Sequence, residues 1–155
     1  MCVVIQGPNV IEGYENNPEA NTKSFTNGWF RTGDRGLIDS DGYLHLKARI
    51  KELINRGGEK IAPLEIDEVM MKHPSVAEAV AFGMPHPTWG EEVAIAVVLK
   101  EPQEEAALVE HCKKHLADFK VPKKILIVDK IPRTATGKIQ RRAVAAAFAD
   151  AGVAR

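Results

Sequence analysis

Residues 51–63 read KELINRGGEKIAP, and this stretch decides how the rest of the chain is divided. Two short half-apolar runs flank Gly57 and Gly58, a composition typical of a tight β-hairpin because glycine adopts the positive φ that such turns require. Pro63 then opens a segment, through about Lys72, whose apolar residues partly share one helical face. The stretch therefore predicts a hairpin that leads directly into a helix.

Downstream of this helix, strands and helices alternate on a small scale. The predicted strands are 75–84, 91–100 and 123–131, and the predicted helices are 104–116 and 140–149. The segment 85–92, PHPTWGEE, is punctuated by proline and glycine and is predicted to be a loop. Residues 49–155 are thus expected to form an α+β domain, one small sheet with helices packed on a face.

Upstream, the pattern is mostly that of strands. A strand is expected at Cys2–Ile5, a short helix over 17–25, and a hairpin around the DSDG sequence at 39–42. The alternating pattern ends in a charged run at 48–51. We therefore expect a short all-β segment over residues 1–48, followed by the α+β domain.

Composition and charge exclude several functions. The chain has 21 Lys and Arg against 21 Asp and Glu, and this balance argues against nucleic acid or an anionic membrane as the main partner. Cys2 and Cys112 form no disulfide or metal pattern, which is typical of a cytoplasmic protein. His111 and His115 share a helical face without an evident third ligand, so we predict no metal site. No apolar run is long enough to span a membrane.

The stretch 132–142, PRTATGKIQRR, places a lysine directly behind a Thr-Gly turn. A P-loop would need glycine at position 132, where the chain has proline. Pro132 restricts its own φ, Gly137 can adopt a positive φ, and the threonines can bond to nearby backbone, so the turn presents Lys138. A solvated surface lysine is the alternative, and the choice depends on what Lys138 is presented to.

Four motifs, in this order and at this spacing, resemble the C-terminal third of AMP-forming acyl-CoA synthetases, which belong to the adenylate-forming superfamily. They are GWFRTGD at 28–34, ARIKELINRGGEKIAPLEID at 48–67, FGMPHPTWGEE at 82–92 and PRTATGK at 132–138. Among subfamilies, the segments 73–85 and 119–142 are most similar to small-carboxylate ligases of the oxalate-CoA ligase type.

This resemblance implies a reaction in two halves. A carboxylate attacks the α-phosphate of ATP to give an acyl-adenylate and pyrophosphate, and the thiol of coenzyme A then displaces AMP. The implied cofactors are ATP/AMP, coenzyme A and Mg²⁺, with Mg²⁺ held mainly by a large domain, and the implied substrate is a small carboxylate. Residues 1–48 would be the β-rich tail of that large N-terminal domain and 49–155 the mobile C-terminal domain. The chain alone is expected to be inactive.

The resemblance also assigns roles to residues. It implies that Lys138 is the adenylation lysine, that Asp34 binds the ribose and that Arg49 contacts the nucleotide. An Asx turn for Asp34 and an ion pair for Arg49 remain open alternatives. Lys51 matches the hinge about which the C-terminal unit rotates between the half-reactions, although Ala48 replaces the family's usual glycine before the arginine.

A second group of residues is implied to meet coenzyme A. Gly57 and Gly58 fall in the hairpin that lines the pantetheine tunnel in the family, and a plain glycine turn is an equal alternative. Trp89, Gly90 and five lysines are candidates for holding the adenine or the 3′-phosphate, against ordinary packing and a solvated face. The lysines are Lys113, Lys114, Lys120, Lys123 and Lys124.

Two hypotheses of different class follow. The chain is either the C-terminal part of an ATP-dependent acid-CoA ligase or a non-catalytic binding or regulatory module of the same fold. The retention of Lys138, Asp34 and Arg49 favours the ligase. Because no sequence precedes the strand Cys2–Ile5 to pair with it, we also expect dimerisation or strand exchange through residues 1–48.

Overall fold

The computed structural model describes residues 1–148. The chain divides into two compact units, the first spanning Met1–Lys51 and the second beginning at Glu52. Their assignment to a large domain and a mobile domain stays a prediction. No helix of the described residues is long and apolar enough to cross a membrane.

The first unit contains a four-stranded antiparallel sheet. Its elements are β1 (Cys2–Ile5), helix α1 (Pro18–Ser24), β2 (Phe25–Thr26), β3 (Trp29–Ile38) and β4 (Leu44–Arg49). The long strand β3 pairs with β1, β2 and β4, so it organises the sheet. Helix α1 begins where the Asn17 side chain accepts a hydrogen bond from the Ala20 N–H at 3.0 Å. The predicted strand, short helix and hairpin of this region are confirmed.

The sheet of the first unit exposes several large apolar side chains. Ile38 is 67% exposed and Tyr43 70% exposed, and Leu44 and Leu46 are also exposed. Within Met1–Lys51, all of which the structure describes, Ala48 is the only hydrophobic residue of the buried core. Ile38 and Leu44 are register partners on β3 and β4, and exposed apolar side chains grouped in this way are typical of a surface that another chain segment covers.

Within residues 52–148, the second unit is a five-stranded sheet with three α-helices. Its elements are β5 (Ile54–Arg56), β6 (Glu59–Ile61), α2 (Pro63–Met71), β7 (Val76–His86), β8 (Gly90–Leu99), α3 (Glu105–His115), β9 (Lys124–Ile127) and α4 (Arg141–Phe148). β8 pairs with β7 on one side and with β5 and β9 on the other. The β8–β9 pair is parallel and the remaining pairs are antiparallel. The predicted α+β fold is confirmed.

The helices cover both faces of this sheet. Ala81 and Ile95 pack in the cluster that includes α2 and α3 residues, whereas Val80 and Ala96 pack with Val144 of α4. Side chains alternate between the two faces of a strand, so β7 and β8 are apolar on both faces and each face must be covered. The expectation of helices on a single face is therefore corrected.

Several predicted boundaries shift. The predicted loop 85–92 is mostly strand, because β7 and β8 pair up to His86 and Gly90 and leave 87–89 as the turn. Pro85 fits in β7 because β7 is an edge strand and needs no N–H donor on its outer side. The strand predicted over 123–131 is shorter, Lys124–Ile127. The last position of the helix predicted over 140–149 lies outside the described residues.

Candidate functional site

Lys138 follows a tight turn that threonine and glycine hold in shape. The Gly137 N–H donates to the Thr134 carbonyl at 2.9 Å, and Gly137 has a φ of +78°. The Thr134 hydroxyl accepts a hydrogen bond from the Lys138 N–H at 3.1 Å. The side chain of Lys138 is exposed, and its ammonium has no hydrogen-bond or ion-pair partner within residues 1–148. The turn therefore presents a cation to its surroundings.

Arg133 attaches this turn to the sheet. One guanidinium nitrogen donates to the Gly137 carbonyl at 3.1 Å, and another bonds to the Glu78 carboxylate on β7 at 2.7 Å. Arg133 also forms an isolated β-bridge with Ile139. Because both charged partners are partly exposed, these contacts orient the turn more than they stabilise the fold.

Directly after the turn, Arg141 enters a half-buried ion network. Its guanidinium bonds to Asp67 Oδ2 at 2.5 Å, to Glu52 Oε2 at 2.9 Å and to the Ala81 carbonyl at 3.0 Å. Asp67 also accepts a hydrogen bond from the Ala81 N–H at 2.6 Å. Burial raises the pKa of the Asp67 carboxyl, and the Arg141 guanidinium opposes that rise. The network holds the start of α4, and with it the end of the lysine turn.

The sequence interpretation missed this network. Asp67 lies on the mostly apolar face of α2, and Arg141 is the second residue after a turn-flanking isoleucine. A charged residue at an apolar helix position was the available signal, since such a residue must find a partner when it is buried. The sequence alone does not name that partner.

Asp34 and Arg49 meet across β3 and β4. They are direct register partners, and the Arg49 Nε lies 2.9 Å from the Asp34 Oδ1. The Asp34 N–H donates to the Thr32 hydroxyl, and its backbone belongs to β3. The structure thus joins the two predicted nucleotide contacts in one ion pair. Arg49 remains mostly exposed, so its other nitrogens are accessible to an anion or a hydroxyl.

The glycine hairpin packs against a tryptophan. Gly57 has a φ of +58° and Gly58 of +98°, the combination of a type I′ turn. The Gly57 N–H donates to the Trp89 carbonyl at 2.8 Å, and a Cβ on Gly57 would lie 2.7 Å from a ring carbon of Trp89. A Cβ on Gly58 would meet nothing within 4 Å. Glycine at 57 is therefore required by packing as well as by φ.

An ion pair of Arg56 with Glu92 lies against the Trp89 ring. The Arg56 guanidinium carbon lies 5.2 Å from the centre of the Trp89 ring, and its Nε bonds to Glu92 Oε1 at 2.7 Å. Burial raises the pKa of Glu92, but the hydrogen bonds from Arg56 and from the Val93 N–H outweigh it and hold that pKa below its usual range. The second unit thus holds an aromatic ring, a cation and a carboxylate beside the hairpin.

Comparison with known proteins shows which family the sequence matches. Residues 65–138 match the family described as the AMP-binding enzyme C-terminal domain. This chain carries an AMP-binding C-terminal domain. The predicted resemblance to the C-terminal portion of acyl-CoA synthetases is confirmed.

Named relatives of this AMP-binding C-terminal domain are ligases. The chain is 60% identical over 94% of its length to a probable CoA ligase of Humulus lupulus, and 56% identical over 96% to an oxalate-CoA ligase of Arabidopsis thaliana. It spans 28% and 29% of their respective lengths. Over 99% of the chain it is similar to the o-succinylbenzoate CoA synthetase of Bacillus subtilis in complex with an acyl-adenylate, with a TM-score of 0.86 and 38% identity. It covers 30% of that structure.

The remaining predicted site residues of the AMP-binding C-terminal domain have mixed environments. Lys51 is exposed in a short 3₁₀ turn, Ile50–Glu52. Lys120 bonds to the Glu65 carboxylate at 2.7 Å, whereas Lys113 and Lys114 are exposed on α3. At least one of the five candidate lysines, Lys120, is therefore already engaged in an ion pair.

The two histidines on α3 take part in packing. The His111 Nε2 lies 2.9 Å from the Val69 carbonyl, and the ring of His111 stacks edge-on against His73 and His115 at centroid distances of 5.1 and 5.0 Å. Burial and the neighbouring His111 lower the pKa of His73. Among the residues that the structure describes, no group of three or more His, Cys, Asp or Glu is arranged to hold a metal ion.

Proposed function

We propose that this chain is the C-terminal part of an ATP-dependent, AMP-forming acid-CoA ligase, an enzyme that forms an acyl-adenylate and then a coenzyme A thioester. One observation carries the proposal: Lys138 is presented on a rigid turn, with no partner for its ammonium within residues 1–148, in a chain closely similar to CoA ligases. A small carboxylate of the oxalate type is the proposed substrate. The chain alone is inactive because the rest of the ligase supplies the carboxylate pocket.

Lys138 would act in the adenylation step. A carboxylate and the α-phosphate of ATP are both anions, and negative charge shifts toward the leaving pyrophosphate as they react. A flexible point cation can bridge both groups at that moment and stabilise the developing charge. The exposed turn suits a lysine that enters and leaves an active site.

The other roles follow from the chemistry of the side chains. Asp34 accepts hydrogen bonds from ribose hydroxyls and Arg49 donates to the nucleotide, so their mutual ion pair keeps both groups oriented. Lys51 is the proposed hinge between residues 1–48 and the mobile domain 49–155. Gly57 and Gly58 form the hairpin beside which the pantetheine chain passes.

Mg²⁺ would accompany ATP and neutralise phosphate charge. Lys138 and Arg49 fit the phosphates and hydroxyls of a nucleotide, but the described residues include no acidic cluster suited to a cation. Mg²⁺ is therefore assigned to the remaining part of the ligase. We further propose a cytoplasmic location, where the free thiols of Cys2 and Cys112 remain reduced.

The first test is ATP–pyrophosphate exchange with this chain alone and after mixing with the purified large domain of a related ligase, over short mono- and dicarboxylates. We expect exchange only in the mixture. Lys138→Ala should abolish it while sparing thioester formation from supplied adenylate, because the second step does not require the bridging cation. Lys130→Ala, an exposed lysine on the same segment, is the matched control and should retain exchange.

Two results would contradict the proposal. Exchange that survives Lys138→Ala would remove the lysine from adenylation. Silence in every mixture, with association of the two parts shown by gel filtration, would favour the non-catalytic binding or regulatory module.

The edge of the first unit suggests self-association. β1 pairs with β3 along one side, and Val4 and Ile5 are partly exposed on this edge strand. An unprotected edge offers backbone donors and acceptors to a second chain, so we propose dimerisation or strand exchange through residues 1–48. Light scattering over a range of concentrations should show a dimer that Val4→Lys weakens and Val4→Thr retains. A monomer at high concentration would contradict this proposal.

A further inference from the structure

The turn between β7 and β8 is held by a histidine ring. The His86 Nδ1 accepts hydrogen bonds from the backbone N–H groups of Thr88 and Trp89, each at 3.2 Å. Both bonds need the lone pair on Nδ1, so the ring must be neutral with its hydrogen on Nε2. This tautomer of His86 therefore accepts two of the hydrogen bonds that shape the turn, beside the pairing of His86 with Gly90 in the β7–β8 ladder.

Trp89 connects this turn to the glycine hairpin. Its carbonyl accepts the Gly57 N–H at 2.8 Å, and its ring occupies the space that a Cβ on Gly57 would enter. Arg56 lies against the same ring. Trp89 is 44% exposed, so its contacts within the chain cover only part of its side chain. His86 therefore contacts Trp89, and Trp89 in turn contacts Gly57.

We propose that His86 is a positioning residue that holds Trp89 against the Gly57-Gly58 hairpin only while its imidazole is neutral, and that it thereby makes the coenzyme A step sensitive to acid. An imidazolium carries hydrogens on both nitrogens, so it cannot accept from Thr88 and Trp89. Histidine changes its charge between pH 5 and 8. The coenzyme A part of this inference rests on the proposed function, in which the hairpin lines the path of the thiol.

The charged residues on the adjoining strands fit this arrangement. They are Glu91 and Glu92 on β8 and Arg56 and Glu59 on the β5–β6 hairpin. Glu91 accepts the Asn55 N–H at 2.6 Å and Glu92 bonds to Arg56 at 2.7 Å, so both carboxylates of β8 are already engaged. A charge on His86 lowers the pKa of Glu92.

A structural experiment isolates the positioning role. In the 155-residue chain with Trp29→Phe, Trp89 is the only remaining tryptophan. We expect its fluorescence, and the amide resonances of Thr88 and Trp89, to change as the pH falls from 8 to 5. His86→Asp should abolish that change, because a carboxylate accepts the same two bonds and stays ionised over this range. His86→Leu should show the acid-state signals already at pH 8.

Controls keep this result interpretable. His115→Leu, on α3, should leave the Trp89 transition as in the parent chain, and circular dichroism should show that every variant is folded. A Trp89 signal that is constant from pH 8 to 5 in the parent chain, or equal signals for His86→Leu and the parent at pH 8, would overturn the proposal.

A kinetic experiment tests the link to coenzyme A in the complete ligase. At pH 8, His86→Leu should raise the KM for coenzyme A about tenfold in thioester formation from supplied adenylate, the loss expected when bonds that hold a binding surface are removed. ATP–pyrophosphate exchange should be unchanged. His86→Asp should restore the KM and flatten its rise at low pH. If His86→Leu displaces Trp89 but leaves the KM for coenzyme A unaltered, the link to coenzyme A is overturned. The ATP–pyrophosphate exchange assay tests the role of Lys138 separately.

Discussion

At the scale of single residues, the charge network around Arg141 is sensitive to substitution because it is largely buried. The side chains of Arg141 and Asp67 are only 16% and 11% exposed, and burial raises the pKa of the Asp67 carboxyl while the Arg141 guanidinium opposes that rise. Such a pair adds little net stability compared with apolar residues, but removing one partner leaves a charge that is desolvated and unpaired. Its importance lies in where it holds α4, directly after the lysine turn.

Arg141→Gln should therefore lower the free energy of unfolding by about 3 kcal/mol, because it leaves the Asp67 carboxylate buried without its cation. Arg142→Gln is the matched control, since Arg142 is exposed and its loss should change stability by less than about 0.5 kcal/mol. Urea unfolding followed by circular dichroism measures both. Equal effects of the two substitutions would show that the network does not stabilise the fold.

At the scale of elements, two turns position the candidate functional residues of the second unit. The lysine turn relies on Gly137 and on the Thr134 hydroxyl, and the glycine hairpin relies on two consecutive positive φ values. Both are local structures, but each is attached to the sheet by a side chain from a distant part of the chain. Arg133 connects the first to Glu78, and Trp89 packs against the second at Gly57.

Gly57→Ala and Gly58→Ala should separate backbone strain from packing. Both place a side chain at positive φ, which should cost about 1 kcal/mol of stability, and the alanine at 57 should cost more because its Cβ also meets the Trp89 ring. Only the alanine at 57 collides with Trp89, so only that variant should shift Trp89 fluorescence in a Trp29→Phe background. Identical fluorescence of the two variants would mean that the ring is not packed on Gly57.

At the scale of the whole molecule, the two units differ in how they are stabilised. The second unit has an apolar cluster on each face of its sheet, whereas the first exposes large apolar side chains and has Ala48 as its buried hydrophobic residue within Met1–Lys51. The first unit is therefore expected to need a covering partner, which agrees with the proposal that the chain works as part of a larger ligase.

The two cysteines, one in each unit, differ in burial and can be used to compare the two units. Cys112 is fully buried in the second unit, and burial raises the pKa of its thiol to about 11, whereas Cys2 is partly exposed. At pH 8, iodoacetamide should therefore modify Cys2 and spare Cys112, because the thiolate is the reactive form. Mass spectrometry of the native and urea-unfolded chain measures this, with Cys2→Ser as the control. Equal labelling of both thiols in the native chain would indicate that the core of the second unit opens readily.

The sequence by itself determined the local structures. The hairpins, the helix starts and the lysine turn were predicted because glycine, proline and threonine act on their immediate neighbours. The order of the four motifs also identified the family. These features need no knowledge of which distant residues meet.

Only the tertiary structure decided how these pieces combine. It placed α4 on the opposite face of the sheet from α2, paired Arg141 with Asp67 across 74 positions, and packed Trp89 on Gly57. Helical periodicity tells which face of a helix is apolar, but not which face of a two-sided apolar sheet receives it. A charged residue at a buried position likewise indicates that a partner is needed, but the sequence does not identify that partner, because packing across the whole domain selects it.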